Sequence, residues 1–110
     1  MQHDPRKLIE DVLRCIKEVE VFCRGKTFHD FQEDRGPQLI VERELEIIGE
    51  ALARLRREHP TLADQIPDLR KIVGLRNVLA HGYGILEHEI LWDIVANKLS
   101  VLRRDIQIMG

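Results

Sequence analysis

Apolar residues return every three or four positions along most of this chain, the period of α-helices with one face turned inward. Between Asp4 and Gly25 the stripe consists of Leu8, Ile9, Val12, Leu13, Ile16, Val19 and Cys23. Asp4 is a good N-cap, Pro5 suits the first helical position and Gly25 suits the closing one. A polar connection follows to Pro37, in which Thr27 can cap a short turn that lays Phe28 and Phe31 on the core. A second helix is expected from about Gln38 to Glu58, stopping before Pro60. Its apolar positions, Val41, Leu45, Ile48, Leu52 and Leu55, alternate steps of four and three. Such a seam suits an antiparallel neighbour or a second copy of the chain. Gly49, beside it, leaves room for another helix to come close.

Pro60 and Pro67 bracket a connector. A third helix is expected over about Asp68 to Ala80, with Leu69, Ile72, Val73 and Leu79 inward, broken afterwards by Gly82 and Gly84. A fourth spans about Glu87 to Ile106, with Ile90, Leu91, Ile94, Val95, Leu99, Leu102 and Ile106 as its inner face. Strand-like alternation of useful length is missing. The pattern predicts an all-α fold: an up-and-down bundle of four main helices plus a short connector helix, one domain over residues 1–110.

Composition narrows this further. Hydrophobic residues make up 44% and charged residues 33% of the 110, the balance of a folded chain rather than a disordered one. Aromatics are only 5%, so the core must be aliphatic. No apolar run approaches the roughly 20 residues of a bilayer span, and the first five residues lack the apolar stretch of a signal peptide. A cytoplasmic location is expected. Cys15 and Cys23, eight residues apart on one helix, are separated by about 12 Å, too far for a disulfide, and read as reduced core residues. The net charge of −2 differs from the basic balance of proteins that coat long nucleic acids, so any RNA recognition must be local. His81, Glu87 and His88 match no strong zinc spacing, and neither a metal nor another cofactor is expected. His3, His29 and His59 read as surface residues. Arg54, Arg56 and Arg57, and Arg103 and Arg104, form short basic clusters, more often solvated faces than RNA tracks, with contact to tRNA phosphates as the open alternative for either.

The segment with chemical content is Leu75-Arg76-Asn77-Val78-Leu79-Ala80-His81-Gly82-Tyr83-Gly84. It gathers a guanidinium, an amide, an imidazole and a phenol at a helix end. Asn77 and His81 are four apart, about 40° around a helix, so the amide can orient the imidazole. Arg76 and His81 are five apart, about 140° around an ideal helix. They meet only if Arg76 bends across, if the helix unwinds near Gly82, or if two copies face each other. A purely structural use is also open: His81 on the last carbonyls, Arg76 paired with Glu44 or Glu46, Asn77 satisfying buried backbone.

Arg76 to His81 reads Arg-x4-His, extended by Tyr83 to Arg-x4-His-x-Tyr, and this resembles the signature of the HepT branch of HEPN (higher eukaryotes and prokaryotes nucleotide-binding) proteins. Three further stretches are similar to that family: Arg43 to Ala51, Ile66 to Asn77 and Glu89 to Ile94. Many members carry a Trp after the proline where Asp68-Leu69 stand here, a departure outside the motif. The resemblance implies a HEPN-like fold and a metal-independent endoribonuclease acting on RNA, with tRNA among its candidate targets. It implies a homodimer whose motifs face one cleft, acting as the toxin of a type VII toxin–antitoxin pair. Its partner would be an MntA-like nucleotidyltransferase antitoxin that silences it by attaching AMP to Tyr83. Arg76 and His81 would be catalytic and Asn77 orienting. The alternative is a non-catalytic HEPN dimer that serves as a nucleotide- or nucleotidyltransferase-binding module.

The residue types suit that chemistry. Cutting RNA through its own 2′-OH requires a base for the 2′ proton, an acid for the leaving oxygen and positive charge on the phosphorane. Histidine titrates near neutrality, and the arginine fork pairs with phosphate oxygens while staying charged. Two His81 residues of a dimer, or His81 with another motif group, would divide the proton transfers.

Overall fold

The computed structural model of the protein describes residues 3–79 in full, the backbone of residues 80 and 81, and residues 87–109. Among the described residues every regular element is helical: α1 (Pro5–Cys23), α2 (Phe28–Glu33), α3 (Arg35–Glu58), α4 (Pro60–Ala63), α5 (Leu69–His81), α6 (His88–Asp93), a π-helical turn (Ile94–Lys98) and α7 (Leu99–Ile108). The last three run on as one rod. With α1, α3 and α5 it makes the four main helices the periodicity predicts, and α4 is the connector helix between the two prolines.

Local chemistry sets the ends. Asp4 accepts a hydrogen bond from the Arg6 amide at 2.9 Å, and the chain leaves α1 through Gly25 at φ +76°. Thr27 and Asp30 form a reciprocal capping box on α2. That short helix buries Phe31 completely but leaves Phe28 half-buried. α3 starts three residues earlier than Gln38, because Asp34 caps it through the Gly36 amide at 3.1 Å. Pro37 is then tolerated in the first turn, where its missing N–H has no intrahelical acceptor. Gln38, a buried polar residue, is satisfied by donating to the carbonyls of Phe31 at 2.9 Å and Gln32 at 3.1 Å.

α3 is the central rod, with α1 along one side and α5 along another, while the α6–α7 rod closes on α1 and α3. Val41, Leu45, Ile48, Leu52 and Leu55 are all 1% exposed or less. The four-three seam of α3 is therefore spent on neighbours within the chain rather than on a second copy. Each such side chain contributes roughly 1.5–3 kcal/mol by leaving water.

The expected inner face of the last rod needs correction. Leu91, Ile94, Leu99, Leu102 and Ile106 are buried, but Ile90 is 44% exposed and Val95 is half-buried. The step from Ile94 to Leu99 is five residues, too long for one α-helical face. The π turn absorbs it through a hydrogen bond from the Leu99 amide to the Ile94 carbonyl. Inward-facing Leu91 and Ile94 leave Ile90 on the flank. Leu79 of α5 is likewise half-buried rather than buried.

Cys15 and Cys23 are free and buried, as the spacing indicated. Burial pushes the Cys15 thiol up to about 12, with the neighbouring Glu44 carboxylate adding to it, and also raises Cys23. No helix among the described residues is long and apolar enough to cross a membrane.

Candidate active site

Arg76 lies one turn beyond Ile72 and Val73, which face the core, so α5 carries it down onto α3. The contact falls on Gly49. A methyl group there would overlap the Arg76 Cβ and lie 2.7 Å from its Cγ and 3.4 Å from the Ile72 carbonyl oxygen. The close approach expected of Gly49 is thus made by the backbone that carries the motif arginine. The Arg76 side chain remains 28% exposed, neither sealed in the core nor loose in solvent.

Its carboxylate partner is Glu50, which accepts from Arg76 Nη2, and not Glu44 or Glu46. Glu46 pairs with Arg43 at 3.3 Å. Glu44 is turned toward Cys15, and its Oε2 is buried without a hydrogen-bond partner; burial raises its pKa above the ordinary carboxylate value. Sequence reasoning missed Glu50. The usable signal was its place next to Gly49, since a carboxylate beside the point of closest helix approach is within reach of whatever approaches.

Glu50 serves two cations at once. Its Oε1 accepts from Arg54 Nε at 2.9 Å, while its Oε2 holds Arg76. The Arg54 hydrogen bond keeps the Glu50 carboxyl below the usual carboxylate range; partial burial opposes this, and the Arg76 charge reinforces it. Two guanidiniums thus share one carboxylate, and the triplet carries one uncompensated positive charge.

Asn77 accepts from Arg76 Nη1 through its Oδ1 at 2.9 Å. That bond assigns the amide, because arginine only donates. The Asn77 NH₂ is left as the group that can donate onward. The backbone stays helical through His81, so Asn77 and His81 share a face, and unwinding between Arg76 and His81 does not occur. Their positions keep the roughly 140° separation of an unbroken helix. The guanidinium reaches toward Asn77. The imidazole of His81 and all of Gly82, Tyr83 and Gly84 lie outside the described residues.

Arg76 opens onto a groove of about 590 Å³ between the start of α1 and the outer stripe of α3. Leu8, Ile47 and Ala51 form its floor, and its walls carry the cations Lys7, Arg43, Arg54 and Arg76 beside the carboxylates Asp11, Glu46 and Glu50. The groove ends at His3, which is not an isolated surface residue. Its Nδ1 lies 2.9 Å from Glu58 and its Nε2 lies 2.6 Å from Arg54 Nη1, while His59 Nε2 is 2.8 Å from the His3 carbonyl oxygen.

An all-helical bundle that delivers an arginine to an open groove, on the helix that carries a histidine five residues later, has the architecture of a HEPN protein. Residues 12–109 match the family model described as ribonuclease HepT-like, and the chain belongs to that family. A Methanocaldococcus jannaschii protein with a provisional RNase name is 36% identical over 96 residues, covering 87% of this chain and 78% of that protein. A Thermococcus cleftensis protein described as probable ribonuclease HepT is 32% identical over 103 residues, covering 94% of this chain and 93% of its own length. A second M. jannaschii protein with a provisional RNase name is 27% identical over 108 residues, 98% of each chain. No solved structure matches the chain significantly. The family makes this protein a ribonuclease by class, with RNA as its substrate.

Proposed function

We propose that the protein is a metal-independent endoribonuclease toxin in which Arg76 and His81 do the chemistry and Asn77 orients the imidazole. The observation that supports this most is the setting of Arg76: packed at its base against Gly49, fixed at its head by Glu50 and Asn77, and facing an open groove. A guanidinium held in this way is preorganised for a phosphodiester, and preorganised charge is the largest single aid to such a reaction. His81, on the same face as Asn77, exchanges protons with the 2′-OH and the leaving 5′ oxygen, giving a 2′,3′-cyclic phosphate and a 5′-OH. One chain offers one motif histidine, so a homodimer with both motifs on one cleft supplies the second proton-transfer group.

In the same proposal a cognate MntA-like nucleotidyltransferase attaches AMP to Tyr83, in a type VII toxin–antitoxin pair within the cytoplasm. The added phosphate brings negative charge beside the motif, competes for Arg76 and repels RNA. The competing reading, a HEPN dimer that binds such a partner without cutting RNA, draws on the hold of Glu50 on Arg76, which a purely structural ion pair would also show. Incubation of purified protein with total RNA in EDTA separates the two. Wild-type protein is expected to cut, and His81→Ala and Arg76→Ala to lose at least a hundredfold in rate. Undiminished cleavage by His81→Ala would remove this mechanism.

A further inference from the structure

The groove extends well past Arg76, and its far end is built. Arg54 stands in the middle, held by two acceptors: Glu50 Oε1 on its Nε at 2.9 Å and His3 Nε2 on its Nη1 at 2.6 Å. His3 can accept there only as the tautomer with its proton on Nδ1, and Glu58, 2.9 Å from that nitrogen, selects it. The imidazole is thus held by Glu58 on Nδ1 and Arg54 on Nε2, and the His3 backbone is held as well, its amide donating to Glu58 and its carbonyl oxygen lying against His59 Nε2. A chain of polar contacts therefore runs Glu58–His3–Arg54–Glu50–Arg76 along one wall. Of these five residues only His3 lies before the segment that matches the family model, which starts at residue 12.

Charge indicates what the groove takes. Among the lining residues Lys7 pairs with Asp11, Arg43 with Glu46, and Arg54 and Arg76 share Glu50, so four cations face three carboxylates and the formal excess of one positive charge lies at the Arg54–Arg76 pair. At about 590 Å³ the groove is larger than one scissile phosphate needs and falls within the usual range of ligand sites. Its apolar floor of Leu8, Ile47 and Ala51 suits the face of a sugar or base between charged walls.

We propose that Arg54, oriented by the Glu58–His3 pair, binds a second phosphodiester of a single-stranded RNA whose scissile phosphate lies at Arg76. Arg54 and His3 are binding and positioning residues and take no part in bond breaking. The inference rests on the ribonuclease reading for the identity of the strand, but its test does not depend on cleavage.

The test uses a fluorescent, fully 2′-O-methylated oligonucleotide, which lacks the nucleophile and cannot be cut. Its affinity is measured against salt for wild type, Arg54→Ala and His3→Ala, beside cleavage kinetics on the ribo strand. Loss of one phosphate contact should lower the slope of log affinity against log salt by about 0.7 in Arg54→Ala. In His3→Ala the affinity should fall roughly three- to tenfold, with KM raised and kcat unchanged. His3→Gln, which keeps an acceptor near Arg54, should recover part of the loss. A wild-type slope in Arg54→Ala together with wild-type affinity in His3→Ala would overturn the proposal. If Arg54→Ala fails to fold, the His3 variants decide alone, since His3 precedes the first helix. Binding that depends on Arg54 without any cleavage by wild type would sink the ribonuclease mechanism and leave the subsite standing. Cleavage with unaltered binding in both variants would do the reverse.

Discussion

Gly49 and Gly74 provide a paired perturbation with opposite expected signs. Both sit inside long helices, where alanine is favoured over glycine by about 1 kcal/mol. A Cβ on Gly74 of α5 meets nothing within 4 Å, so Gly74→Ala should gain most of that preference. At Gly49 the new methyl would lie 2.7 Å from Arg76 Cγ and closer still to its Cβ. Because Cβ is fixed to the backbone, α5 itself must back away, by roughly 1–2 Å to restore ordinary contact, and overpacking of this kind costs about 1–3 kcal/mol. Net of the helical gain, Gly49→Ala should be less stable than Gly74→Ala by about 1–3 kcal/mol, or roughly 4–12 °C in midpoint for a chain of this size. Thermal and urea unfolding followed by circular dichroism measure the difference. The displacement also moves Arg76 off its place, so RNA cleavage by the folded Gly49→Ala protein should fall on the order of 10- to 100-fold. A Gly49→Ala protein as stable as Gly74→Ala would refute the packing argument, and full activity would refute the link from packing to site.

Other consequences are as direct. With its thiol pushed up to about 12, Cys15 has only about 10⁻⁴ of its molecules as thiolate at pH 8, so it should resist a disulfide reagent until the protein unfolds. Fast labelling of native Cys15 would contradict its burial. Burial raises the Glu44 carboxyl in the folded state, which then holds its proton more tightly than the unfolded chain. Its penalty is absent below the ordinary carboxylate pKa and grows as pH rises through the window up to the raised value. Glu44→Gln should therefore stabilise the protein at pH 7 and do nothing near pH 3; equal effects at both would argue against a carboxylate whose charged form is disfavoured by desolvation. Glu50 is shifted the other way, so the stability it contributes is present above the ordinary carboxylate pKa and lost as pH falls. The stability deficit of Glu50→Gln at pH 7 should shrink on acidification, as urea midpoints would show. Co-expression with a nucleotidyltransferase partner should add AMP-sized mass increments to wild type and none to Tyr83→Phe. Equal modification of both, by intact mass, would move the site elsewhere.

Much of this fold was legible because α-helices advertise themselves through a fixed period. The Asp4, Thr27 and Gly25 signals and the 41–55 seam each landed on the expected element, since caps and buried stripes are local in sequence. The π turn was not legible. A five-residue step from Ile94 to Leu99 was the trace it left, and period counting reads such a step as noise, which is why Ile90 was placed inside. The start of α3 precedes the expected Gln38, because Asp34 caps the helix and makes Pro37, the end of the expected connection, a first-turn residue. For the site, spacing paired Asn77 with His81, whose imidazole lies outside the described residues, while the structure joins Asn77 to Arg76 by a hydrogen bond that the spacing did not suggest. Glu50 and the His3–Arg54 contact depend on pairs 26 and 51 residues apart, and no local pattern carries such information.

The central claim is that the RNA supplies its own nucleophile while Arg76 and His81 supply charge and proton transfer. End-group analysis on a defined oligonucleotide, compared with the same strand carrying one 2′-deoxy residue at the cut, tests it most directly. The account predicts 2′,3′-cyclic phosphate and 5′-OH ends from the ribo strand and no cut at the deoxy position. Cleavage at that position, or 5′-phosphate ends from the ribo strand, would contradict it.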